Sequence, residues 1–295
     1  MNEALDGPGP TTGQPEESRP RVHHLSLATC PVTVRVDGRP CGQGSGLLYL
    51  KRQGNEQLLF MVTSRQLLAP PSDSGMSPVR PNTAVFQLRT SADNTRAGRP
   101  IRIPLYSRDG NPIWLESRKW RESEIVAIPV PGSLCEGISV HCVDRGWSSA
   151  TLTPLGAGAP LHVVGFPYSL ESRPGMLPLW HSGSLASDPG VGLAEQPALW
   201  ANVPPFPGMA GAPVVAAPTG GASSESEIRR LVGIYAGARS LNGRWAEEAG
   251  IHEGIDYVLR TFPPWGSIWR ADLIDELIEN ADIEAWQEKI LARLP

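Results

Sequence analysis

The sequence lacks any apolar run of about 20 residues, so no helical membrane span is expected. It also lacks a basic stripe: 26 Lys and Arg stand against 30 Asp and Glu, giving a net charge of −4, which argues against a nucleic-acid ligand. Met1 to Arg21 lacks the apolar core of a signal peptide, so a cytoplasmic location is the expectation. Only four cysteines occur, Cys30, Cys41, Cys135 and Cys142, and their spacing matches no paired zinc knuckle. In a reducing compartment they are expected as free thiols. His141 and Cys142 read as alternating positions of a strand, and His23-His24 as a surface pair, so no metal site is expected.

Glycine and proline are abundant instead, at 31 and 30 residues. They cut the 295 residues into short apolar segments, the pattern of an all-β sandwich or barrel. Val32, Val34 and Val36 alternate with polar residues up to an Asp37-Gly38 turn, a half-buried strand and hairpin. Leu47–Leu50 and Leu58–Val62 flank a Gly54-Asn55 turn. Thr63 to Leu68 then leaves as one helical turn. Further strands are expected at 84–88, 101–105, 113–115 and 124–130, with Pro129 limiting how centrally the last can pair. Helical period is confined to the tail, where Leu273, Ile274, Leu277 and Ile278 share a face, and Ile283, Trp286 and Ile290 continue after Asn280-Ala281-Asp282.

The most informative stretch is Gly208-Met209-Ala210-Gly211-Ala212-Pro213-Val214-Val215. Its glycines permit a sharp turn and a close approach of backbone to ligand. It resembles the nucleophile loop of trypsin-like serine peptidases, Gly-x-Ser-Gly-x-Pro-Val, with Ala210 where the serine belongs. Other motifs follow in that family's order. Gly44-x-Gly46 and Met61-Val62-Thr63 lead to Gln66, at the position of the general-base histidine. Glu124-Ile125-Val126-Ala127-Ile128-Pro129 resembles the acid segment, with Glu124 at the acid position. Leu161-His162-Val163-Val164-Gly165-Phe166-Pro167 and Gly183-Ser184-Leu185-Ala186-Ser187 also resemble family segments. Leu231 to Gly237 resembles the strand that pairs with bound peptide, which would make Tyr235, Ala236 and Gly237 the peptide-binding residues.

The resemblance implies two six-stranded antiparallel β-barrels, a site in the cleft between them, and a C-terminal helix. The expected organisation is a disordered tail at 1–24, an N-terminal barrel at 25–150, a C-terminal barrel at 151–265 and a helical segment at 266–295. It implies no cofactor. The amides of Gly208 and Ala210 would form an oxyanion-hole-like pair.

The chemistry of the family's triad is missing from these positions. A methyl group cannot attack a carbonyl, and an amide cannot take a proton near neutral pH. Glu124 would have no imidazole to orient. Met209 stands where zymogen-activated members carry an aspartate, so activation by proteolysis is not expected. The expectation is a catalytically inactive homologue that binds a peptide or protein. The alternative is a serine hydrolase with displaced residues, for which Ser45, Ser64, Ser184, His162 and His181 are candidates by type.

Overall fold

The structure, a computed structural model, describes residues 22–54, 56–69, 80–89, 98–138, 140–148, 155–168, 177–192, 196–217, 230–237, 265–279 and 281–294. Of the tail expected at 1–24, residues 1–21 lie outside the described residues.

The N-terminal sheet contains β1 (Thr29–Val36), β2 (Arg39–Gln53), β3 (Glu56–Ser64), β4 (Thr83–Arg89), β5 (Gly98–Pro104), β6 (Leu115–Glu116), β7 (Ile125–Val130) and β8 (Val143–Asp144). Their order is β5-β4-β1-β2-β3-β7-β6, with β8 beside β2. The sheet thus has eight strands where the resemblance implied six: β6 overlaps the strand expected at 113–115 only at Leu115, and β8, with two residues, is too short to announce itself by alternation. All pairings are antiparallel except β2 with β8. The β1–β2 hairpin turns through Asp37 and Gly38 at φ 49° and 80°, the left-handed pair of a type I′ turn. Pro129 lies opposite Phe60 of β3, while β6 reaches only Val126 and Ala127. The residue that cannot donate therefore stands beyond the doubly paired part of β7.

The C-terminal sheet contains β9 (Pro160–Gly165), β10 (Leu179–Ser184), β11 (Ala198–Ala201), β12 (Pro213–Ala216), β13 (Leu231–Gly237) and β14 (Gly266–Arg270), in the order β10-β9-β12-β13-β14-β11. Gly266–Arg270 is a central strand rather than the start of a helical tail. Its alternation is masked by the stronger helical period that begins three residues later.

Short helices complete the chain. Helix α1 (His24–Ala28) corrects the expected boundary at 24/25: His23 caps it through Nδ1, which accepts the Leu25 N–H at 3.1 Å, and its ring stands edge-on to Trp180. The exposed His24 bonds the Cys142 carbonyl at 2.8 Å, so the two histidines anchor the start of the body. Helix α2 (Arg65–Leu68) follows β3 directly. Helices α3 (Asp272–Glu279) and α4 (Ile283–Leu291) pack on β7, so the tail emerging from the C-terminal sheet returns to the N-terminal one. The buried Asp275 of α3 accepts from the Tyr49 hydroxyl at 3.1 Å and faces Lys51 Nζ at 3.4 Å. One apolar core joins both sheets and α3 through Leu47, Phe60, Val215, Ile234, Trp269 and Ile274. Among the described residues no helix is long and apolar enough to cross a membrane.

Candidate functional site

Glu124 immediately precedes β7, and β7 lies beside β3, so it sits level with the first turn of α2. Its backbone carbonyl accepts the Arg65 N–H at 2.7 Å, and its carboxylate accepts the Gln66 N–H at 2.9 Å and the Ser64 hydroxyl at 3.4 Å. The two amides are orphan donors at the start of a helix, and Glu124 satisfies one with its carbonyl and the other with its carboxylate. Glu124 is therefore engaged in holding the backbone of residue 66, while Gln66 projects its side chain across to the C-terminal sheet.

There the Gln66 Nε2 donates to the carbonyl of Ala236. This acceptor is available because β13 carries an irregularity at that residue. Tyr235 pairs with Ile268 and Gly237 with Ser267, leaving Ala236 as a bulge. A bulge leaves its extra residue outside the ladder. The Ala236 carbonyl is thus free to meet Gln66 instead of β14.

The 208–211 loop closes against both sheets. Ser45 N–H donates to the Ala210 carbonyl at 2.8 Å, and Gly211 N–H donates to the Tyr235 carbonyl at 2.7 Å. The Ser45 side chain is fully buried; its hydroxyl donates to the Gly208 carbonyl at 2.8 Å and accepts the Phe166 N–H at 2.9 Å. Thr63 Oγ1 in turn donates to the Ser45 carbonyl at 2.7 Å. Two glycines are required sterically. A Cβ on Gly44 would stand 2.8 Å from the Ala210 carbonyl, and Gly211, at φ 89°, would drive a Cβ into the Ser45 carbonyl.

These contacts link the three positions. Glu124 holds Gln66, Gln66 holds Ala236, and the neighbouring Tyr235 holds Gly211 beside Ala210. All three lie half-buried where the two sheets face each other. Neither the Gly208 nor the Ala210 N–H donates to a backbone acceptor among the described residues, whereas Met209 N–H between them bonds Phe206 O at 3.1 Å.

The expected peptide-binding trio divides. Tyr235 is fully buried in the C-terminal core, its N–H donates to Ala212 O at 2.8 Å, its carbonyl is taken by Gly211, and its hydroxyl donates to Val203 O at 2.8 Å. No group of Tyr235 faces a ligand, which removes it from the trio. Ala236 and Gly237 are buried as well, the Ala236 carbonyl taken by Gln66 and the Gly237 carbonyl accepting the Ser267 hydroxyl at 3.3 Å.

Among the other candidates, Ser45 and Ser64 are held in the bonds just described. Ser184 lies in β10, its carbonyl accepting the Asn202 N–H at 2.8 Å. His162 stands across the strands from Ser182, Nδ1 to Oγ at 3.2 Å, an exposed contact that sequence spacing did not mark. His181 Nε2 is buried with no partner among the described residues, and burial lowers its pKa below the ordinary histidine value. The bridging by Ser45 left one local hint, a serine between two glycines leading into an apolar strand.

No protein-family model matches the chain, and no curated protein matches its sequence. Solved structures do. A serine endoprotease from Yersinia pestis superposes with a TM-score of 0.50 at 12% identity, covering 87% of this chain and 63% of that one. This chain thus spans less than two thirds of that protein. An inactive Ser-to-Ala mutant of a Mycobacterium tuberculosis H37Rv protein superposes with a TM-score of 0.45 at 12% identity, covering 92% of this chain and 90% of that one. The chain has the trypsin-like serine peptidase fold: two antiparallel β-barrels with C-terminal helices.

Proposed function

We propose that this chain is a catalytically silent domain of trypsin-like fold that binds a peptide or protein segment in the cleft between its barrels. The observation that carries the reading is the hydrogen bond from the Gln66 amide to the Ala236 carbonyl. Where a peptidase needs a base that moves a proton, this residue is a strut between the sheets, and Glu124 is its helix cap. Ala210 contributes its backbone to the loop and has no nucleophilic atom. Removing the nucleophile or base alone costs a serine peptidase on the order of 10⁶-fold in turnover.

The ligand we infer is an extended segment with a carbonyl or carboxylate near the Gly208 and Ala210 amides and backbone contacts at Ala236 and Gly237. Such a segment must compete with Gln66 for the Ala236 carbonyl. We place the protein in a reducing, cytoplasmic setting, in keeping with four free thiols.

A displaced hydrolase is the second reading, favoured by the 3.2 Å contact between Ser182 and His162. An active-site fluorophosphonate separates the two. The binding reading expects no labelled serine, and expects weak esterase activity only after Ala210→Ser is combined with Gln66→His. Labelling of Ser182 in the unmodified protein, with turnover abolished by Ser182→Ala, would establish the hydrolase and reject the silent domain.

A further inference from the structure

Three rings stack beside the 208–211 loop. Tyr168 and Phe206 lie 5.7 Å apart between centroids, tilted by 51°, and Phe206 lies 5.2 Å from His181. Phe206 is seated on the C-terminal core, whereas Tyr168 is 63% exposed. Leu179, two residues before His181 on β10 and so on the same face, is 39% exposed. Large apolar side chains exposed singly need no explanation, but two of them at a common aromatic stack form a patch.

The patch adjoins the loop directly. Tyr168 N–H donates to the Pro207 carbonyl at 2.8 Å, and a Cβ on Gly208 would stand 3.3 Å from the Tyr168 nitrogen. Tyr168 makes this approach with φ 53°, a left-handed backbone that a bulky residue seldom adopts. Glycine would take that conformation without strain, and the ring lies mostly outside the core, so the fold does not account for a tyrosine here. In the same loop the N–H groups of Gly208 and Ala210 have no acceptor among the described residues. Two unfilled donors next to an exposed ring suit an occupant that carries an acceptor oxygen and an apolar side chain close together. Successive residues of an extended peptide carry both.

We propose that Tyr168 and Phe206 form a shelf for an aromatic side chain of the bound segment, filled while a neighbouring peptide carbonyl lies on the Gly208 and Ala210 amides. The shelf rests on the reading of the cleft as a peptide-binding site and names which segments that cleft selects. Ring-on-ring contact in offset or edge-on geometry supplies the preference.

The test uses the full chain and two blocked peptides, acetyl-Ala-Ala-Phe-Ala-Ala-amide and its all-alanine counterpart, followed by amide and side-chain chemical shifts. The phenylalanine peptide is expected to shift Tyr168, Leu179, Gly208 and Ala210 together, with a dissociation constant on the order of 1 mM. The alanine peptide should bind about fivefold more weakly. Tyr168→Phe keeps the ring and should bind the phenylalanine peptide within about twofold of the unmodified protein. Tyr168→Gly should bring that peptide to the affinity of the alanine one, while its melting temperature holds or rises by about 2 °C as the backbone strain is released. Equal affinity for the two peptides, with Gly208 and Ala210 shifted by both, would overturn the shelf and leave the reading of the cleft standing. Shifts at Tyr168 and Leu179 without any at Gly208 and Ala210 would overturn the joint site and that reading with it, as would the absence of any shift at about 10 mM peptide. A melting temperature lower by more than about 5 °C in Tyr168→Gly would make the ring structural and overturn the shelf. A dimer that forms with concentration and is lost in Tyr168→Gly would assign the patch to a second copy and overturn it too.

Discussion

Replacing Ser45 by alanine tests how the two barrels are held together around the candidate site. The hydroxyl lies in β2 of the N-terminal sheet, yet both its partners, Phe166 N–H and Gly208 C=O, belong to the C-terminal half. Ser45 is fully buried, so water cannot replace the lost oxygen without rearrangement. Each buried group left unpaired costs about 1–3 kcal/mol, and partial relaxation brings the expected total to about 3 kcal/mol. With a urea slope of about 3 kcal/mol per molar, the unfolding midpoint should fall by about 1 M. The Phe166 amide should also exchange with solvent faster, because its acceptor is gone. Ser182→Ala removes an exposed hydroxyl and should change stability by less than about 0.5 kcal/mol. A Ser45→Ala midpoint within error of the unmodified protein, with Phe166 exchange unaltered, would refute the bridging role.

Three further outcomes are expected. Gly211→Ala should cost more than about 3 kcal/mol or prevent folding, whereas Gly38→Ala, equally left-handed but with nothing within 4 Å of its new Cβ, should cost only about 1 kcal/mol in a thermal melt. A thiol reagent should modify the exposed Cys41 readily and spare Cys30 until unfolding, since burial pushes the Cys30 thiol up to about 12; native-state labelling of Cys30 at the Cys41 rate would contradict this. Burial also lowers the pKa of His141 and His181. The unfolded chain then takes up protons first as pH falls, so their contribution is complete above about pH 6.5 and declines below it toward the folded values. Urea midpoints across that range should show the decline, and His181→Gln should lessen it.

Much of the frame was legible because it depends on local pattern. The Val32–Val34 alternation, the Asp37-Gly38 turn and the change to helical period at Leu273 each correspond to an element. What escaped is non-local. All seven residues of β13 are buried, so its run reads alike for an edge and a centre, and the commitment of Tyr235 on both flanks left no trace in the sequence. The bulge that turns the Ala236 carbonyl toward Gln66 is a matter of register against β14, which no single strand encodes. The same holds for Asp275, an acid on a helix whose burial makes sense only once Tyr49 and Lys51 are brought to it.

The bonding at the loop also accounts for how a chain can retain this architecture with alanine and glutamine at two critical positions. The hydrogen bonds that tie the 208–211 loop to Ser45 and Tyr235 are made by backbone groups of the loop, the carbonyls of Gly208 and Ala210 and the N–H of Gly211, while the Met209 side chain packs into the C-terminal core. Their partners, Ser45 and Tyr235, are not the residues that would perform acyl transfer. Ala210 needs no side-chain oxygen to hold its place. Gln66 likewise receives its position through its own N–H from Glu124, which leaves its side chain unconstrained by the fold and able to span to Ala236. Shape and chemistry are thus carried by different atoms in this cleft. On the proposed reading, substitution at 66 or 210 should alter ligand binding far more than whether the barrels fold, the reverse of what substitution at Ser45 or Gly211 should do.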